Sequence, residues 1–235
     1  MKKQIAIPQL EYKKSSKKEI IWSIICIATY IVISDTPLLR LLFPTNGSIT
    51  RGLLISIVSE LIILGVAIIA LKDIIKRDLK IFKDNIKAYL KYLLPRFLKF
   101  LLIYFIVSVV CTKLLSNGQK SENQEIVELL PIWYIISLVV IIGPILEEFI
   151  YRGIPRRFIN NKIIFIIFSA IIFGISHVLF EENFVNAIVH MIPYSVMGGF
   201  FAYMYASTEN ITTSMLCHIV YNSIGAFFII MAGNG

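Results

Sequence analysis

From residue 53 to residue 71 the chain runs through nineteen residues with a single charge, Glu60, and stretches of similar character recur to its end. Such a run is long enough to cross about 30 Å of hydrocarbon as a helix. In lipid, backbone N–H and C=O groups must be satisfied within the spanning structure, which leaves only helices and closed barrels. The turn-punctuated alternating segments of a membrane barrel are missing, so the barrel is excluded. With 57% hydrophobic residues and a mean hydropathy of +0.78, the chain reads as all-α, a polytopic helical membrane protein.

About seven transmembrane helices are expected, at 20–33, 53–71, 97–115, 132–146, 163–180, 184–205 and 211–231. Asp35 and Pro37 interrupt the first, and 38–43 completes it or lies at the interface. Segment 1–19 is a basic flank, and 20–235 forms one transmembrane domain. Ile75, Leu79, Phe82, Ile86 and Leu90 recur at helical spacing among lysines, which predicts an amphipathic helix over 72–95 on an anionic cytoplasmic surface. Of the 23 Lys and Arg residues, 19 fall in 1–19, 72–99 and 152–162. That asymmetry places the N-terminus in the cytoplasm and the C-terminus outside. The Ile- and Lys-rich composition suggests a bacterial plasma membrane. Topology accounts for the net charge of +8, so the bilayer rather than nucleic acid is the expected partner. The polar N-terminal stretch does not resemble a cleavable signal peptide. Cys26, Cys111 and Cys217 lack metal or redox spacing and read as small core residues.

The chemistry concentrates where apolar runs contain charges. Glu147, Glu148 and Arg152 end the fourth span, and Glu60 sits inside the second; ionisable groups at such depths are functional candidates. Two of the three histidines, His177 and His218, also fall in apolar runs. Glu147 lies about as far before the turn at Asn160-Asn161 as His177 lies after it, and His218 enters span seven from the same side. The three spans therefore bring polar groups to one level, expected in the inner leaflet. Glu148 and Arg152 are i and i+4, acid first, which favours a same-face ion pair and leaves Glu147 turned about 100° away. His218 and Asn222 share a face by the same spacing. A carboxylate beside a histidine can activate water, and a second imidazole with an amide can stabilise an oxyanion. These parts suit amide hydrolysis. Glu147, His177 and His218 are also a plausible catalytic zinc set, so a zinc cofactor stays open. His190, with no partner pattern around it, reads as a helix-packing histidine.

Glu147-Glu148-x-x-x-Arg152, Phe173-x-x-x-His177 and His218-x-x-x-Asn222 resemble, in order, the three motifs of the CPBP intramembrane proteases. That family includes CAAX-prenyl endopeptidases and Abi-like bacterial proteins linked to bacteriocin immunity and peptide processing. The resemblance covers about 130–230. It implies that Glu147 activates water with help from His177, that His218 and Asn222 form the oxyanion site, and that Glu148 and Arg152 support them. The family is customarily labelled metalloprotease, and a zinc-free, glutamate-activated water is equally compatible with its motifs. The implied activity is endoproteolysis of a membrane-bound peptide or protein. The competing function is a non-catalytic bacteriocin-immunity or scaffold protein.

Overall fold

The structure, a computed structural model, describes residues 7, 8, 10, 15–33, 48–179 and 181–233. Among these residues it is built of helices and connections, with no strand. In chain order the helices are α1 (Lys17–Ile33), α2 (Ile49–Asp84), α3 (Ile86–Leu115), a short α4 (Glu122–Glu128), α5 (Ile132–Arg157), α6 (Lys162–Ser176), α7 (Phe184–Thr208) and α8 (Ile211–Gly233).

Five of them, α2, α3, α5, α7 and α8, are long and apolar enough to cross a membrane. Apolar residues such as Leu102 and Phe105 of α3 or Ile163 and Ile164 of α6 point outward from the bundle, where lipid tails solvate them. The protein is therefore an integral, multi-pass membrane protein. The two further spans expected from hydropathy correspond to α1, of 17 residues, and α6, of 15. Asp35, Pro37 and 38–43 lie outside the described residues.

The basic stretch at 72–95 is not a helix of its own. α2 runs unbroken past Leu71 to Asp84, and Asn85 ends it by donating its N–H to the Ile81 and Phe82 carbonyls. α3 restarts at Ile86. The inner face of the α2 extension locks one end of the bundle. Buried Asp78 accepts the Ile211 N–H at 2.7 Å, satisfying a backbone donor that the first turn of α8 cannot satisfy itself. Beside it Arg156 of α5 pairs with Glu209 at 2.6 Å, and Arg77 donates to the Glu209 carbonyl. We call this the basic end.

Two features set the inner geometry. First, α5 is interrupted by π-helical turns at Ile135–Ile142 and Phe149–Gly153, on either side of a regular stretch at Gly143–Glu148. The Gly143 N–H reaches the Leu138 carbonyl and the Ile154 N–H reaches Phe149, each five residues back. Each of these bonds falls directly before a proline, Pro144 or Pro155. A proline cannot donate the next i→i−4 bond, so the register slips by one residue there. Second, α6 and α7 pack almost backbone to backbone. A Cβ on Gly198 would stand 2.7 Å from the Cβ of Phe173, and one on Gly174 would stand 2.1 Å from the Ser195 hydroxyl. Small residues permit that approach between membrane helices.

Candidate active site

The π turns fix where the two adjacent glutamates point. Glu148, fully buried, faces the bundle and pairs with Arg152 at 3.0 Å. Arg152 is also fully buried; its Nη2 donates to the Gly198 carbonyl at 3.1 Å, and its guanidinium lies over the Phe173 ring, 4.5 Å from the centroid. A buried cation is tolerable when it is paired and hydrogen-bonded, and this one is. Glu147 turns the other way, its side chain 29% exposed, and lines a cavity of about 810 Å³. His177, His218 and Asn222 line the same cavity, while Glu148 and Arg152 stand behind the wall.

His218 joins the two acids. Its Nδ1 donates to Glu148 Oε1 at 2.9 Å, and its Nε2 lies 3.6 Å from Glu147 Oε2. The ring stacks on Phe201, centroids 4.3 Å apart, which fixes its plane. A carboxylate that orients an imidazole toward a reacting group is a recurrent catalytic device, and here the carboxylate is itself anchored by Arg152. Among the described residues, Glu147 makes its ion pair with His218 and none with His177, so the help expected from His177 is not a direct contact.

His177 caps the end of α6. Its Nδ1 bonds to the Phe173 carbonyl at 2.8 Å, and since a carbonyl only accepts, Nδ1 carries the hydrogen and Nε2 is the nitrogen able to accept one. Fifteen helical residues separate it from Asn161, about 22 Å at 1.5 Å per residue. It thus lies toward the opposite end of the bundle from the basic end. The cavity extends the same way, bounded by Lys120, Asn123 and Glu128 on one side and Ile229 and Ala232 on the other. The level expected near the basic side is accordingly displaced toward this far end. Asn222 donates one amide hydrogen to the Val139 carbonyl, at 2.8 Å within the first π turn of α5, and has a second available to the cavity.

Among the described residues no three His, Cys, Asp or Glu side chains are gathered closely enough to hold a metal ion. Glu147, His177 and His218 do not form a ligand set in this arrangement.

Sequence reasoning missed what surrounds His177. Tyr194 stacks on its ring with centroids 4.6 Å apart, and the Tyr194 hydroxyl bonds Ser121 at 2.9 Å and accepts from Asn123 at 3.2 Å. His190 is more than packing: its Nε2 donates to the Gln119 carbonyl and its Nδ1 meets Glu181, both at 3.2 Å. Glu122 and Glu181 complete the clamp by accepting N–H groups from each other's segments, Glu182 and Glu122, at 2.8 Å. The connection carrying α4 is thus fastened over the α6–α7 turn. The partners that tie the α4 connection to the α6–α7 turn and to α7 lie 59 to 73 positions apart, with no spacing to reveal them.

Residues 129–224 match the family model of the Type II CAAX prenyl endopeptidases, Rce1-like. That interval holds all three motifs and every residue of the Glu147–Asn222 constellation. The chain is 29% identical to the "Putative membrane peptidase YdiL" of Bacillus subtilis over 224 residues, covering 87% of this chain and 86% of that protein. It is 27% identical to the "Membrane-embedded CAAX protease MroQ" of Staphylococcus aureus over 229 residues, covering 88% of each. An uncharacterized protein of Mycoplasma capricolum is 28% identical over 195 residues; the match covers 76% of this chain and spans 55% of that protein's length. No solved structure matches. A Rce1-like domain thus occupies 129–224, and the two peptidase-named relatives support the CPBP family to which the motifs point.

Proposed function

We propose that the protein is a CAAX-type intramembrane endopeptidase that hydrolyses a membrane-associated peptide or protein with a water activated by Glu147. The observation that carries this reading is the division of labour at the cavity wall. Glu147, His177, His218 and Asn222 face one cavity, and Glu148 and Arg152 are sealed behind it. A cavity of this size admits an extended peptide segment, and its depth in an apolar bundle suits a substrate that arrives through the bilayer.

In this mechanism a water sits between Glu147 and the His177 Nε2, both hydrogen-bond acceptors. Glu147 takes one proton as the water oxygen bonds to the peptide carbonyl carbon. The oxyanion that forms is met by the second Asn222 amide hydrogen and by His218 Nε2–H. With Glu147 protonated, Glu148, Arg152, His218 and the oxyanion carry balanced charges, so an imidazolium is sustained without bulk water. Collapse breaks the C–N bond, and Glu147 returns its proton to the leaving amine. Glu148 and Arg152 touch no reacting atom; they hold His218.

The reading is tested with purified protein in lipid nanodiscs, given quenched fluorogenic peptides that carry a membrane anchor, with metal content measured on the same preparation. Cleavage that persists after dialysis against chelator supports the glutamate–water route. Activity lost on chelation and restored by zinc would overturn it. A non-catalytic immunity or scaffold protein would cleave nothing and keep its function when Glu147 is replaced.

A further inference from the structure

His177 is held by its own helix at one edge. Its Nδ1–H donates to the Phe173 carbonyl, four residues back at the end of α6. The torsion that turns an imidazole about its Cβ–Cγ bond is broad and roughly two-fold, so a bond at one edge leaves the plane of the ring loosely set. Rocking about that bond swings Nε2, the nitrogen that accepts the water's hydrogen, off its line.

Tyr194 supplies a second restraint. From α7 it lays its ring on the imidazole, centroids 4.6 Å apart and planes 27° from parallel, and it lines the cavity beside His177. Its hydroxyl is held in turn by the α4 connection, at 2.9 Å from Ser121 and 3.2 Å from Asn123. Ser121 is the N-cap of α4, its oxygen also accepting the Gln124 N–H, and Asn123 follows in the first turn. The connection itself is seated by polar contacts. To the Glu122–Glu181 clamp and the His190 bond, Asn186 adds its amide, donated to the Gln119 side chain at 2.8 Å. No residue of α4 is fully buried, and Ile126 and the following Leu129 point outward. Where so little apolar surface is buried, these bonds decide how the segment sits. The imidazole plane thus has two references, its own helix and, through Tyr194, the seat of the α4 connection.

We propose that Tyr194 is a positioning residue, which holds the His177 ring in the plane that the water-activating step needs and sets that plane by the α4 connection. This rests on the proteolytic site proposed above, and the test separates the two. Full-length wild type in nanodiscs is compared with Tyr194→Leu, Tyr194→Phe, Ser121→Ala and the double variant Tyr194→Phe/Ser121→Ala. Each is measured by cleavage of one anchored peptide and by nitrogen NMR of isotope-labelled histidine. The chain holds three histidines, and His177→Gln identifies the His177 signals. In wild type they report one tautomer, with the hydrogen on Nδ1. Tyr194→Leu averages them between two tautomers and lowers kcat by about tenfold or more with KM changed less than about twofold, as expected when a reacting group is misplaced. Tyr194→Phe keeps the ring contact and recovers part of that loss. Ser121→Ala lowers kcat in the presence of the Tyr194 hydroxyl and adds little in Tyr194→Phe; its effect on the α4 cap falls on both backgrounds and cancels in the cycle. A Tyr194→Leu protein with the wild-type tautomer overturns the proposal, as does one whose loss lies in Tm and KM while kcat stays at the wild-type value. If Tyr194→Leu does not fold, the cycle decides, and additive losses overturn the proposal. If nothing is cleaved while Tyr194→Leu still averages the His177 signals, the hold on the imidazole stands and the proteolytic reading falls.

Discussion

Replacing Arg152 with methionine removes the guanidinium paired with the buried Glu148 carboxylate. An uncompensated buried charge destabilises by about 3–5 kcal/mol, so Arg152→Met should lower the Tm of the purified protein sharply. Glu147→Gln faces the cavity and gives up only the 3.6 Å approach of a 29% exposed carboxylate to His218, so its Tm should stay close to the wild-type value; equal losses in the two variants would contradict the division between wall and support. Some of this was legible in the sequence. The acid-first i, i+4 spacing foretold the Glu148–Arg152 pair, and the 100° step between neighbours foretold that Glu147 would face elsewhere. The partner of both acids was not legible. His218 lies 70 positions from Glu148, and no local pattern says which of two histidines will sit between adjacent glutamates.

At the scale of elements, close approach of α6 to α7 holds Phe173, and through it His177 and Arg152, in place. Gly198→Ala would push a methyl group into the Phe173 Cβ and should destabilise by about 1–3 kcal/mol. Gly65→Ala on α2, with nothing within 4 Å, should change Tm little, within about 1 kcal/mol. Thermal unfolding of the two variants side by side checks the contrast, and a neutral Gly198→Ala would show that the helices have room to separate. Helix existence was readable from apolar run length, because lipid leaves the backbone no alternative. Helix register was not: Pro144 and Pro155 announce breaks in bonding, but whether a break becomes a kink or a π turn depends on packing around it. The amphipathic pattern at 72–95 likewise reported helicity correctly but could not show that its first half continues α2.

Across the whole molecule the asymmetry of Lys and Arg, the lock at the basic end and the direction of the cavity should align. If the basic end is cytoplasmic, the cavity extends toward the outer face. Single cysteines at Lys83 and Glu125, both exposed, report this in intact cells; Cys26, Cys111 and Cys217 are buried and compete little. Glu125→Cys should react with an impermeant maleimide from outside and Lys83→Cys only after the membrane is opened, whereas the reverse labelling would invert the topology. Charge counting makes an expected orientation readable in advance, and this labelling tests it. The displacement of the site toward the far end was not readable, because hydropathy gives the extent of an apolar run and cannot show that α6 stops at Ser176 and hands its last carbonyls to His177.

The central claim is that Glu147 activates the hydrolytic water, and its most direct test is the ratio of kcat for wild type and Glu147→Gln on one cleaved peptide, with both proteins shown folded by matching Tm. The account predicts a loss of at least about 10²-fold, the lower range for a general base. A Glu147→Gln protein that cleaves at the wild-type rate would contradict it.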